Sequence, residues 1–261
     1  MPSEHQSRVI DQFTKLAGAF ASAPQFTDTE ALDLLLSVTN ASATDNTLDV
    51  ACGAGVVATH FATKVRHATG IDLTPAMLVK ASELQAKAGL GNVTWDQGDV
   101  SCMPYANNSF SVVTSRYAIH HMPEPIKVLT EIVRVCRPSG RIAISDISLP
   151  DDSNEADAFN YIERFNDPSH ARALTKTEWT NLFIESGLPE PSTTRYQLEF
   201  PLVGMLQATK LADEQVAKIE REVRERLSRG ELHFCAKLDR DRCIFVYPIA
   251  VMSATKPGSA T

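Results

Sequence analysis

Cysteine is scarce in this sequence, and its few copies do not pair. There are five (Cys52, Cys102, Cys136, Cys235 and Cys243), an odd number with no CxxC among them. That pattern excludes a disulfide scaffold and a zinc ribbon, and it fits a reducing, cytoplasmic setting. No long basic run occurs. The 32 acidic and 25 basic residues leave a formal net charge of −7, so neither nucleic acid nor an anionic membrane is the expected partner. The longest apolar stretch, 243–252, contains Pro248 and is too short to span a bilayer. The opening MPSEHQSRVIDQF has no apolar signal-peptide core. What is present is ordinary globular material: 261 residues, 43% hydrophobic, enough for a sizeable core.

Hydrophobic spacing divides the chain. Ser3 and Gln6 form a capping box ahead of Val9, Phe13, Leu16 and Phe20, which share a helix face. Thr27 and Glu30 predict a second capped helix. From residue 47 short apolar runs recur at 47–51, 68–72, 92–99, 110–115 and 141–147, with helical patterns between them. Thr74-Pro75 opens one of these helices and Gly89 closes it. Such alternation with short connections predicts an open, mostly parallel α/β sheet with helices on both faces. After residue 147 come a polar, aromatic-bearing segment (148–172), a helix capped by Thr175 and Glu178, a strand at 193–200, a charged helix, and a hairpin around Asp239-Arg240-Asp241.

Three signals fall at the C-terminal ends of successive predicted strands, where α/β sheets bind ligands. The first is Asp49-Val50-Ala51-Cys52-Gly53-Ala54-Gly55, a turn of small residues entering a helix. Small side chains bring backbone N–H groups close to a ligand, although tight strand–helix packing also selects glycine. The second is Asp72, a carboxylate able to accept from both hydroxyls of a ribose; the third is Asp99 after Gly98, able to accept from an adenine amine. Each alone also has an ordinary turn-forming explanation, and the glycine turn by itself fits a dinucleotide-binding dehydrogenase. No Tyr-x-x-x-Lys pair accompanies it.

With LDVACGAG (48–55), GIDLTPAML (70–78), QGDVSCMPYANNSFSVVTSRYAIHHMPEP (97–125) and RVCRPSGRIAISDI (134–147), the chain resembles the class I S-adenosylmethionine-dependent methyltransferases. It looks closest to their ubiquinone/menaquinone-biosynthesis-like small-molecule branch. The resemblance implies a Rossmann-like, seven-stranded, mostly parallel sheet with helices on both faces, an antiparallel last strand and a helical lid. It implies one domain over 1–254: N-terminal helices at 4–39, a sheet core at 46–147, and lid and C-terminal sheet elements at 148–254. Residues 255–261 are expected to be a disordered tail. S-adenosyl-L-methionine is the implied cofactor. Ala51, Gly53 and Gly55 would cradle its methionine part, with Asp49 orienting the turn. Asp72 would take the ribose, and Leu73 and Met77 would pack near the adenine. Asp99 would hold the adenine amine and Val100 would donate its N–H. Ser115 and Arg116 would line the methionine end. Two departures from the family pattern are Ala51 and Ser139, each where glycine is usual.

Methyl transfer needs alignment in a dry pocket, and a base only when the nucleophile begins protonated. Tyr117, His120 and His121 are the candidates, with His120 preferred because it is nearer the strand end; each histidine could instead be a packing or helix-end residue. Adjacent histidines seldom chelate one ion, so no metal is expected. The acceptor is expected to be a small, apolar or aromatic molecule, on the strength of Phe13, Phe20, Phe159, Tyr161 and Phe165 in the two candidate lid segments. Monomer and homodimer both remain open. So does a methyltransferase-like fold that binds without methylating.

Overall fold

The structure, a computed structural model, describes residues 2–20, 27–208 and 211–258. The alternating apolar runs form β1 (Asn46–Val50), β2 (His67–Asp72), β3 (Val93–Gln97), β4 (Phe110–Arg116) and β5 (Cys136–Leu149), paired in parallel. Two short strands, β6 (Leu174–Thr175) and β8 (Ala236–Asp239), pair with β5 and with the long β9 (Arg242–Thr255), while β7 (Ser192–Pro201) forms an edge. The main path is β3-β2-β1-β4-β5-β9-β7, with β9 antiparallel to both neighbours. This is the mixed, Rossmann-like sheet expected, its last strand reversed. Strand order changes direction between β1 and β4, which opens a crevice at their C-terminal ends.

Both faces of the sheet are apolar, as strands covered on both sides require. On one face Val113, Ile142 and Ile144 pack with Leu129 and Ile132 of α5 (Pro125–Val135) and Phe183 of α7 (Lys176–Glu185). The neighbouring positions Val112 and Ala143 point the other way, toward Leu35 of α2 (Thr29–Thr39) and Phe61 of α3 (Val56–Ala62). That is the two-residue alternation of a strand. A further apolar cluster joins α6 (Ser153–Asn166), α8 (Leu202–Ala208) and α9 (Asp213–Ser228) to Ile147, Leu149 and Phe245.

Helix caps follow the sequence with one correction. In α1 (Glu4–Phe20) Gln6 N donates to Ser3 Oγ at 3.1 Å and Ser3 N donates to Gln6 Oε1 at 2.8 Å. The Thr175–Glu178 box is also formed. At α2 the cap is Asp28, which accepts from Glu30 N at 3.0 Å, and not Thr27. A carboxylate reaching the first free N–H group outcompetes a threonine one residue earlier. α4 (Pro75–Ala88) ends at Gly89 with φ +68°, a left-handed stop.

Two expectations for the second half are overturned. Thr255 lies in β9, paired with Arg141, and residues 256–258 follow it among the described residues. Lys256 Nζ donates to the carbonyls of Val133 and Cys136 at 2.8 and 2.7 Å, satisfying the C-terminal end of α5. Only 259–261 of the expected tail lie outside the described residues. The aromatics of 148–172 do not form a cover over the crevice. Phe159 is fully buried and stacks on Phe245, with centroids 5.2 Å apart, while Tyr161 and Phe165 pair on the surface. Of the three, only Phe159 serves the core. The side chain of Phe20 lies outside the described residues.

Candidate active site

The crevice at the switch point holds a cavity of about 290 Å³. Its floor is the turn after β1. Ala51 and Gly53 have φ of +55° and +53°, and Gly55, with φ +76°, caps α3. At Gly55 a Cβ would stand 2.4 Å from the Trp95 ring and 2.6 Å from Ala81 Cβ, so only glycine lets α3 and β3 approach. Gly55 is thus a packing glycine beneath the turn and does not line the cavity. Ala51 and Ser139 (φ +59°) both hold left-handed backbone. The family's glycines at these two positions have a conformational cause, and this chain carries about 1–2 kcal/mol of strain at each.

Three carboxylates form an acidic wall. Asp49 is buried, accepts from Thr114 Oγ1 at 3.3 Å, and is pushed up to about 7 by that burial despite the nearby Arg116 charge. Asp72 accepts from Gly53 N and Thr74 N, both at 2.8 Å, and burial raises its pKa too. It ties the glycine turn to the start of α4, a structural duty beyond that of a strand-end acceptor. Asp99 is half-buried. Burial would raise its pKa, but hydrogen bonds from Ser101 and Gln6 hold it below the ordinary value. Leu73, Met77 and Val100 complete this side.

The opposite wall is the N-terminal helix, one of the two segments expected as a lid, with Phe13 on the cavity as expected and His5 and Gln6 not singled out as site residues in sequence. α1 crosses the crevice and contributes His5, Gln6, Val9 and Phe13. Gln6 Nε2 donates to Asp99 Oδ2 at 2.6 Å, an amide proton where an adenine amine is expected to donate. His5 Nε2 meets the His121 carbonyl oxygen at 2.7 Å, and the Phe13 ring stands edge-on to the His121 ring at 4.9 Å.

At the far end lie Arg116, Tyr117 and His121. Arg116 packs over the Tyr117 ring, 4.5 Å from its centroid. Tyr117 has φ +53°, a strained conformation for a bulky residue, and its hydroxyl sits 2.5 Å from that of Tyr196. Burial pushes this phenol's pKa far up, which keeps it protonated and leaves no phenolate to act as a base. Ser115 is fully buried and donates to Val50 O at 2.9 Å, tying β4 to β1 away from the cavity. His120 also falls outside the cavity lining. Its Nδ1 lies 2.5 Å from Asp146 Oδ1, a carboxylate fully buried at the end of β5. Asp146 further accepts from the N–H groups of Ala118, Ile119 and Ile147, which folds the turn after β4. Burial alone would lower the His120 pKa, but Asp146 raises it overall. His121 moves the other way: burial and the charge on His120 keep it neutral. The positive charge of this ring pair therefore resides on His120, while His121 keeps the one N–H of a neutral imidazole, and the expected preference for His120 at the cavity is reversed. Among the described residues no cluster of His, Cys, Asp or Glu is arranged to hold a metal.

The cavity suits a cationic, ribose-bearing cofactor. Buried carboxylates gain from a positive charge beside them, whereas a dinucleotide pyrophosphate would face Asp49 and Asp72. Comparison with known proteins agrees. A family model described as "Methyltransferase domain" matches residues 41–187. An uncharacterized methyltransferase, YcgJ of Bacillus subtilis (strain 168), is 31% identical over 186 residues, covering 71% of this chain and 74% of that protein. The crystal structure of YcgJ superposes with a TM-score of 0.79 at 25% identity, covering 88% of this chain and all 100% of that one. The ubiquinone/menaquinone biosynthesis C-methyltransferase UbiE of Bdellovibrio bacteriovorus is 36% identical over 112 residues. That match covers 42% of this chain and 47% of the relative, so the chain spans about half of that protein.

Proposed function

This chain belongs to the methyltransferase-domain family and uses S-adenosylmethionine, and from that premise we propose that it methylates a small apolar or aromatic acceptor whose nucleophile His121 deprotonates. When bound, the cofactor supplies an electrophilic methyl group on a sulfonium, with a neutral thioether as leaving group. Asp72 and Asp99 would hold its ribose and adenine, and Ala51 and Gly53 its methionine part. The observation that carries the acceptor reading is His121 itself: a neutral imidazole on the cavity wall, set against Phe13 and beside Met122 and Val128. These apolar neighbours favour an acceptor with an aromatic or aliphatic body. The UbiE relative's role in quinone biosynthesis, by its name, is consistent with an aromatic ring there. A phenol or thiol must lose a proton as it attacks; the neutral His121 imidazole is free to take it, and because burial and the His120 charge hold its pKa down at about 4, it suits an acidic phenol or a thiol best.

The test is a panel of phenols, thiols and quinols offered with isotopically labelled S-adenosylmethionine, assayed for methylated product. On the fastest acceptor, His121→Ala is expected to lose about 10²-fold or more in kcat at pH 7 and to recover partly at high pH, where the acceptor ionises unaided. A flat loss at every pH, or a parental rate, would remove His121 as the base. No helix among the described residues is long and apolar enough to cross a membrane.

A further inference from the structure

We propose that Ser169 and Asp167, on the turn after α6, are positioning residues that hold His121 in the Nδ1–H tautomer and leave Nε2 to receive the acceptor's proton. The inference rests on the reading of His121 as base, but its geometry stands apart from the cofactor site. Ser169 is fully buried. Its Oγ lies 2.5 Å from Asp167 Oδ1, and its N–H donates to the same oxygen at 2.8 Å. A carboxylate only accepts, so the one hydroxyl proton of Ser169 goes to Asp167. On its other side Oγ stands 3.1 Å from His121 Nδ1 and offers lone pairs alone. The Ser169 carbonyl oxygen, also an acceptor, lies 3.3 Å from the same nitrogen. Two acceptors and no donor meet Nδ1, so Nδ1 carries the hydrogen and Nε2 keeps its lone pair.

Every element around the ring is consistent with this state. From the turn after β4, His120 stacks obliquely at 4.2 Å between centroids, and its proton faces Asp146 of β5. From α1, Phe13 meets the ring edge and His5 holds the His121 carbonyl. His170, on the same turn as Ser169, faces His120 with centroids 5.6 Å apart. In the transfer step the acceptor's O–H or S–H bond breaks and an Nε2–H bond forms. The electron pair stays on the acceptor heteroatom for attack. The Nδ1 proton stays in place, and Ser169 with Asp167 stabilises the imidazolium through the shared hydrogen bonds, as an orienting carboxylate does for other imidazole bases.

Long-range ¹H–¹⁵N NMR of the ¹⁵N-labelled protein reads the tautomer directly. At pH 7 the expected His121 spectrum shows a protonated Nδ1 and an unprotonated Nε2. The reverse pattern, or a doubly protonated ring, overturns the proposal, and this needs no variant. Ser169→Ala is expected to shift the population toward Nε2–H and to lower kcat about tenfold or more on the panel acceptor, with the KM for S-adenosylmethionine unchanged. A Ser169→Ala protein with the parental tautomer and rate also overturns it. If His121→Ala keeps the parental rate while the parent shows Nδ1–H, the base reading fails and the positioning geometry stands.

Discussion

Asp146→Asn is expected to lower the free energy of unfolding by about 3–5 kcal/mol near pH 6, because it leaves the buried His120 imidazolium without its counter-charge. It also points an amide N–H₂ at backbone donors. The carboxylate now accepts from Ile119 N and Ile147 N, both at 2.7 Å, from Ala118 N, and from His120. The pH dependence has a definite sign. The His120 pKa is raised in the fold, so its stabilisation is complete below the unfolded value of about 6.5 and fades as pH rises through the folded value. The Asp146 pKa is lowered: burial would raise it, but His120 and the backbone donors prevail. Its contribution is present above about 3.9 and fades as pH falls through the folded value. The gap between parent and Asp146→Asn, read from urea midpoints, is therefore widest between about pH 4 and 6.5 and narrows on either side. A constant gap from pH 4 to 9 would mean that the charge pair contributes nothing beyond neutral hydrogen bonds.

Asp72→Ala carries the second large effect. Affinity for S-adenosylhomocysteine is expected to fall by about 2–3 kcal/mol, as two ribose hydroxyls lose a charged acceptor. Sequence alone suggests that folding would stay largely intact, since a strand-end carboxylate is not core. Here the carboxylate is buried and joins Gly53 N to Thr74 N. A further loss of about 1–2 kcal/mol in unfolding free energy is expected, moderated because burial already disfavours the charge. Calorimetry and urea denaturation on the same protein separate the two. Unchanged affinity in a folded variant would refute the ribose assignment.

The parts of this molecule that were legible in sequence are those written locally. The two-residue alternation in 110–115 and 141–147 predicts β4 and β5, and the small-residue turn after Asp49 predicts the switch-point crevice. Ala51 and Ser139 stand out as departures in sequence, but their left-handed backbone emerges only in three dimensions. What was not legible depends on contacts between distant segments. Gln6 and Asp99 lie 93 positions apart, and the expectation of α1 as a lid does not say which of its side chains meets which carboxylate. His120 and His121 are adjacent and chemically identical in sequence. They are distinguished by Asp146, 26 positions beyond His120, and by Ser169, 48 beyond His121. The aromatics of 148–172 misled because helical spacing does not tell a core residue such as Phe159 from surface residues such as Tyr161 and Phe165, or either from a lid.

The most direct test of the account is a crystal structure of the protein with S-adenosylhomocysteine. The expected complex has the ribose hydroxyls on Asp72, the adenine amine on Asp99 beside or in place of the Gln6 amide, and the sulfur facing the part of the cavity that His121 lines. A cofactor seated away from Asp72 and Asp99, or with protein between its sulfur and the His121 ring, would contradict it.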